Sequence, residues 1–217
     1  MTAVLLDLYE TLADADSESI AAGRRRGAEL AGVDPGCLLE GWTKTIDERS
    51  VGRMGSPEDE IRRLLDACDG PAGEELIEQL VALEADNWRS GVRLYADVLP
   101  ALAAMRRDGS TLAIVSNCSW QTAGVMRATG LDAEVDATVL SFDVGLVKPD
   151  PAILRLALER LGVAPSHAAL VDDVPANLDA ARALGMATVL MDRIGAARGS
   201  VHPAVRDLAA AAATLRG

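Results

Sequence analysis

A chain of 217 residues, 49% of them hydrophobic, is long enough for one domain, or one domain carrying an insertion, around a substantial core. Its formal charge of -12 and its few aromatic residues (three Trp, two Tyr, one Phe) argue against nucleic-acid binding, because a phosphate backbone calls for a basic surface and single strands call for stacking platforms. Cys37, Cys68 and Cys118 form no CxxC pair and leave one over, so neither a disulfide framework nor a zinc site is expected, and the reducing cytoplasm is the expected compartment. No basic, cleavable leader pattern opens the chain, and apolar runs stay well short of the roughly eighteen residues a membrane span needs, so secretion and membrane insertion are not expected.

Ala3 to Leu6 is an apolar run ending in Asp7. So short and apolar a run fits a strand covered on both faces, as in the parallel sheets of α/β proteins. From Asp14 to about Tyr95 helical apolar spacing takes over, in segments near Glu18 to Ala31, Cys37 to Arg49, Pro57 to Cys68 and Gly73 to Trp88, separated by Gly, Pro and Asp breakers. Ser56 before Pro57, with Glu58 to Glu60 behind, forms a helix start with its N-cap, first-position proline and acidic first turn. No strand pattern interrupts these segments, which read as a small helical subdomain inserted after the first strand.

Beyond Asp97, helix and strand alternate. Helices are predicted over Val98 to Arg107, Ser119 to Thr129, Asp150 to Leu161 and Pro175 to Leu184, and an alanine-rich helix closes the chain. Strands are predicted over Thr111 to Val115, Thr138 to Leu140, Ala168 to Val171 and Ala187 to Leu190. Strands separated by helices of this length imply right-handed crossovers and a doubly wound parallel sheet.

The polar residues at the strand ends carry the chemistry, because ligands in open parallel sheets bind beyond the carboxyl ends of the strands. Asp7 follows the first strand. Ser116, Asn117, Cys118 and Ser119 follow the second, at the mouth of a helix that favours an anion. Lys148 precedes Pro149 in a protein with only one other lysine, Lys44, so a compact point charge is suggested where arginine is the default cation. Asp172 and Asp173 precede Pro175 and Asn177. Each has a plainer reading: Asp7 as a turn residue, Ser119 as an N-cap, Lys148 as a solvated loop lysine, one of the paired acids as a helix cap. Taken together, Asp172 and Asp173 facing Asp7 would crowd like charges, and such a cluster must hold a cation or carry protons. Oxygen ligands without histidine or cysteine point to Mg2+.

With four strand-end motifs in order, the chain resembles the haloacid dehalogenase-like hydrolase superfamily, in its subgroup with a helical cap inserted after the first strand. Asp7 and Thr11 match the first motif, Ser116 the second, Lys148 the third, and Asp172-Asp173 with Asn177 the fourth. The resemblance implies a Rossmann-like core from residues 1–14 and 96–217 and a helical cap from 15–95. It implies that Asp7 attacks phosphorus or carbon to give a covalent aspartyl intermediate, with Mg2+ on the Asp7 side chain, the Tyr9 carbonyl and Asp173. Thr11, Ser116 and Asn117 would contact an anionic small-molecule substrate, Lys148 would stabilise its charge, and Asp172 and Asn177 would orient the ligands.

One position departs from that pattern. Family phosphatases commonly place a second aspartate two residues after the nucleophile to protonate the leaving group, and here that residue is Tyr9. Tyrosine there resembles the 2-haloacid dehalogenases, which release halide without a proton and need no metal. The paired acids of the fourth motif resemble phosphatases. The sequence therefore gives a Mg2+-dependent phosphatase of a small phosphorylated metabolite as its first reading, and hydrolysis at carbon or a weakly active regulatory protein as alternatives. Glu10 stands where glycine is frequent in the family. Arg24, Arg25 and Arg26 on the first inserted helix are placed to reach an anionic substrate or to form a solvated face, Trp42 and Trp88 read as core, and His167 and His202 carry no assigned role. The sequence leaves the oligomeric state open.

Overall fold

The structure is a computed structural model in which residues 3–196 and 199–216 are described. Strand β1 (Ala3–Leu6) is buried along its whole length. Alternation sends Val4 and Leu6 into one apolar cluster and Ala3 and Leu5 into another on the opposite face. The strand is thus covered on both sides, as its unbroken apolar run demands. After it come β2 (Ala13–Ala15), helices α1 (Ser17–Ala31), α2 (Pro35–Lys44), α3 (Ile46–Ser50), α4 (Pro57–Asp66) and α5 (Glu74–Gly91), and then β3 (Val92–Leu94). The remainder runs α6 (Val98–Arg107), β4 (Thr111–Ser116), α7 (Gln121–Thr129), α8 (Leu131–Glu134), β5 (Ala137–Leu140), α9 (Ser141–Val144), α10 (Pro151–Leu161), β6 (Ala168–Asp172), α11 (Pro175–Ala183), β7 (Ala187–Met191), β8 (Ala204–Val205) and α12 (Leu208–Arg216).

The main sheet has the order β5-β4-β1-β6-β7-β8 and every pairing in it is parallel. The chain builds outward from β1 on one side through β4 and β5, then crosses to build the other side from β6. The carboxyl end of β1 therefore lies at the topological switch point, where a crevice opens for ligands. This is the α/β, doubly wound architecture expected from the sequence.

Helices α1, α2, α4 and α5 share an apolar cluster of their own, in which Ala28, Leu38, Trp42, Ile61, Leu64, Leu65, Ile77 and Leu80 are buried. The Ser56 start of α4 is a full capping box: Ser56 Oγ accepts from the Asp59 amide at 3.2 Å and Asp59 accepts from the Ser56 amide at 3.0 Å. The expected helix over Cys37 to Arg49 is broken at Thr45, whose backbone (φ -96°, ψ 6°) leaves the helical region and starts α3 in a new direction. A two-stranded antiparallel ribbon, β2 with β3, closes the root of the insertion in the register Asp14↔Arg93. Strands of three residues are too short to leave a period, and neither this ribbon nor β8 is foreshadowed by the pattern.

The cysteine expectation is overturned. Cys37 at the start of α2 and Cys68 just beyond α4 are disulfide-bonded, with Cα atoms 6.0 Å apart, and Cys118 is the free, buried thiol. The spacing of 31 residues matches no short motif. Packing of α2 against α4, rather than sequence proximity, brings the two sulfurs together. Among the described residues no helix is long and apolar enough to cross a membrane.

Candidate active site

Parallel pairing of β1 with β4 and β6 sets their ends side by side: Leu6 pairs with Ile114 and with Val171, so Asp7, Ser116 and Asp172 emerge at one edge. The Asp7 amide donates to Val171 O at 2.9 Å, which continues the ladder by one residue and fixes the nucleophile candidate. Lys148 reaches in from the loop before α10. Its Nζ donates to Asp7 Oδ1 at 2.6 Å and to Asp172 Oδ2 at 2.7 Å, with the lysine and Asp172 side chains almost wholly buried. The other Asp172 oxygen accepts from the Val174 amide and from Asn177 Nδ2, both at 2.9 Å. Asp172 is thereby fully committed as a bracket between Lys148 and α11.

Burial pushes the Asp7 carboxyl up to about 7, against the pull of Lys148, and Asp172 adds to the rise. For Lys148, burial draws the ammonium down but Asp7 and Asp172 more than offset it, so its pKa lies above the ordinary lysine value. Asp173 is half-buried at the mouth of the cluster and is raised to about 6 by burial and by its neighbour Asp172. Carboxylate oxygens of Asp7, Asp172 and Asp173 lie within 4.8 Å of one another. Because Asp172 is spent on Lys148 and α11, Asp7 and Asp173 are the pair with capacity for a cation.

Two hydroxyls, one on the loop after β1 and one at the end of β4, lack protein partners. Ser116 Oγ and Thr11 Oγ1 are both buried, and neither meets a hydrogen-bond partner among the described residues. Unpaired buried hydroxyls are costly. Asn117 is used differently: its side chain clamps the Lys148 backbone, Nδ2 donating to the carbonyl and Oδ1 accepting from the amide, both at 2.8 Å. Tyr9 turns its phenol away from the carboxylates. The hydroxyl is 2.8 Å from Thr122 Oγ1 and the ring meets Trp88 edge-on at 5.5 Å, while burial raises the phenol above its ordinary pKa. Glu10 has φ +57°, the left-handed region that favours glycine, which explains why a glycine suits this position.

Several polar residues that frame the site carry no motif in the sequence. Arg193 donates to Thr11 O through Nε at 3.1 Å and Nη2 at 2.6 Å, pairs with Asp97 at 2.8 Å and stacks on Tyr95, bracing the loop after β1. Glu84 on α5 is buried and binds Arg24 at 2.6 Å, Trp88 Nε1 at 2.9 Å and Gln121 Nε2 at 3.2 Å, tying the inserted helices to α7. Arg24 is thus neither solvated nor free, whereas Arg25 and Arg26 are exposed. Glu60 on α4 accepts from Trp120 Nε1 at 3.3 Å, and burial holds its carboxyl up at about 7 against the pull of Arg49. Trp42 is core, as expected, and Trp88 is half-buried against Tyr9. A charged residue in an amphipathic helix ordinarily marks the wet face, so only tertiary packing reveals these as buried.

The parallel sheet and the strand-end constellation define an α/β protein with a buried carboxylate site at the sheet edge. The family model for haloacid dehalogenase-like hydrolases matches residues 1–185, and the chain belongs to that family. It is 32% identical over 147 residues to a phosphatase of Mycobacterium tuberculosis, covering 67% of this chain and 65% of the relative's length. It is also 32% identical over 195 residues to the plasmid phosphoglycolate phosphatase of Cupriavidus necator, covering 88% of this chain and 80% of that one. Among solved structures it resembles a 2-haloacid dehalogenase from Pseudomonas syringae, with a TM-score of 0.77 at 24% identity over 100% of this chain and 98% of that one.

Proposed function

We propose that the protein is a Mg2+-dependent phosphatase of a small phosphorylated metabolite, with helices α1 to α5 acting as a cap over the site. The observation that carries this reading is the buried carboxylate cluster of Asp7, Asp172 and Asp173 around Lys148 at the switch point of the sheet. Asp7, Asp173 and the Tyr9 carbonyl would hold the ion, which supplies neutralising positive charge at the phosphate oxygens. The related phosphatases named above support the same reading.

In this account Asp7 Oδ attacks phosphorus as the bond to the leaving oxygen breaks, giving an aspartyl phosphate. Ser116, Thr11 and Lys148 hold the equatorial oxygens. Water then attacks phosphorus, releasing inorganic phosphate and restoring the Asp7 carboxylate. Asp172 and Asn177 keep Lys148 aimed, and Asn117 fixes its backbone. No carboxylate occupies the position two residues after Asp7, so the leaving group takes its proton from water, and substrates with good leaving groups should be preferred.

Tyr9 favours a second reading, hydrolysis at carbon, because displacement of halide needs no proton donor there. Isotope placement separates the two. After turnover of an acyl phosphate in H2 18O, attack at phosphorus leaves the label in phosphate and none in the Asp7 peptide. With 2-chloropropionate, an aspartyl ester opened at its carbonyl carbon would carry the label into Asp7. Label in Asp7 together with halide release would overturn the phosphatase reading.

A further inference from the structure

Arg193 stands two residues beyond β7, in a turn closed by the Gly195 amide on Asp192 O at 3.1 Å and tied to β8 by the Asp192 amide on Val205 O at 2.8 Å. Its side chain is 9% exposed, and the guanidinium joins segments far apart in sequence. Nε and Nη2 donate to Thr11 O at 3.1 and 2.6 Å. Nη1 donates to both Asp97 oxygens, at 2.8 and 2.9 Å, and to Arg206 O at 3.2 Å, while the plane lies 4.1 Å from the centre of the Tyr95 ring. Asp97 Oδ2 also accepts from the Leu208 amide at 2.6 Å, at the start of α12.

These partners share a place in the chain. Thr11 lies just before β2, where the chain leaves the sheet for the inserted helices, and Tyr95 and Asp97 lie just after β3, where it returns. The two crossings meet through the Tyr95 amide on Leu12 O at 3.1 Å and through the three paired residues of β2 and β3. A two-stranded ribbon this short has little stability of its own. One guanidinium fastens both crossings to the end of β7, using a planar fork that spans a carbonyl on one and a carboxylate on the other.

The outgoing crossing is also the loop of the reaction centre. Thr11 lies four residues after Asp7, in a turn closed by the Leu12 and Ala13 amides on Leu8 O, each at 2.8 Å, and by the Glu10 amide on Ala13 O at 2.7 Å. Beyond the ribbon, Ile20 of α1, Ile46 of α3 and Trp88 of α5 face Tyr9 and Asn117 across a cavity of about 310 Å³. Displacing the crossings therefore moves the loop after Asp7 and the inserted helices together.

From this geometry we propose that Arg193 is a positioning residue, which fixes both crossings of the inserted segment to the end of β7 and so sets where the inserted helices and the turn after Asp7 stand relative to the sheet. It acts through Thr11 and Asp97, not by contact with the reacting groups. The proposal does not depend on the phosphatase reading, which enters only one arm of the test.

The test is limited trypsin digestion of the intact protein, with cut sites assigned by mass spectrometry, alongside p-nitrophenyl phosphate kinetics in Mg2+. Cleavage after Arg93, exposed within β3, requires the ribbon to open locally, whereas cleavage after Arg155, exposed on α10, reports opening of the core. Arg193→Gln should speed the Arg93 cut by about tenfold or more and leave the Arg155 cut within about twofold of the wild type. Its kcat should fall about 10- to 100-fold, the cost of misplacing reacting groups by around 1 Å, with KM changed less. Arg193→Lys, whose ammonium reaches Thr11 O or Asp97 but does not span both, should fall between the two on each readout. Asp97→Asn keeps an acceptor for the Leu208 amide and loses the ion pair; it should also speed the Arg93 cut, and it decides the matter if the glutamine variant does not fold. Equal acceleration of both cuts, or no acceleration of the Arg93 cut in the folded variants, overturns the proposal, as does an unchanged kcat in an enzyme that turns the substrate over. A wild type without turnover removes the phosphatase reading, and the Arg93 cut then decides the proposal alone.

Discussion

Replacing Lys148 by methionine keeps most of the side-chain volume and removes the cation from between two buried carboxylates. In the native protein the Lys148 side chain is 1% exposed, Asp172 is 0% and Asp7 is 10%, and the two contacts measure 2.6 and 2.7 Å. Removing one partner of such a buried arrangement costs about 3–5 kcal/mol, because it strands charge in a poorly hydrated place. That cost depends on pH. Asp7 already sits at about 7, and Lys148 is the largest influence holding it down. Without the lysine Asp7 binds its proton more readily when folded, so stability falls more steeply as pH rises. At pH 5.5 a protonated Asp7 can donate to Asp172 and recover roughly half of the loss. Urea unfolding followed by circular dichroism, in EDTA so that no metal replaces the lost cation, should therefore show a deficit of about 3–5 kcal/mol at pH 8 and about half that at pH 5.5. A deficit below about 1 kcal/mol at pH 8, or one equal at both pH values, would refute this account of the cluster.

Two further perturbations probe the inserted helices. Reduction, or Cys37→Ser, opens a loop of 31 residues, and the lost constraint on the unfolded chain should lower stability by about 3–4 kcal/mol, read as a drop in the urea midpoint with m changed in the direction of a more expanded unfolded state. No change on reduction would mean the bond contributes nothing. Glu60 is held near 7 instead of its ordinary 4.5, chiefly by burial, so folding takes up a proton there between those values and stability from this group is lost as pH rises through that window. Glu60→Gln should remove up to about 3 kcal/mol of that decline between pH 4.5 and 8; parallel stability curves for the two proteins would contradict it.

Strands β1, β4 and β6 were legible because each is an apolar run buried along almost its whole length, and Asp7, Ser116 and Asp172 were legible because they end or directly follow those strands. Asp7, Ser116, Lys148 and Asp172 needed only the order of strands and loops to be brought together, and the parallel register did so. The division of labour within the acidic pair came from the family resemblance alone, since no local pattern says which carboxylate packs against Lys148 and Asn177. The Cys37–Cys68 bond and the burial of Arg49, Glu60 and Glu84 depend on contacts between helices far apart in sequence, and no local pattern encodes them. His202, which carries no sequence motif, is buried with Nδ1 2.8 Å from Thr188 Oγ1, a packing role visible only once β7 and the segment before β8 meet.

The most direct measurement is hydrolysis of p-nitrophenyl phosphate in Mg2+ and in EDTA, with Asp7→Asn alongside. This substrate needs little protonation of its leaving group, so Tyr9 cannot mask an otherwise competent site. The account predicts turnover that requires Mg2+ and is lost in Asp7→Asn by at least about a thousandfold. Turnover that persists in EDTA, or survives the loss of the Asp7 carboxylate, would contradict it.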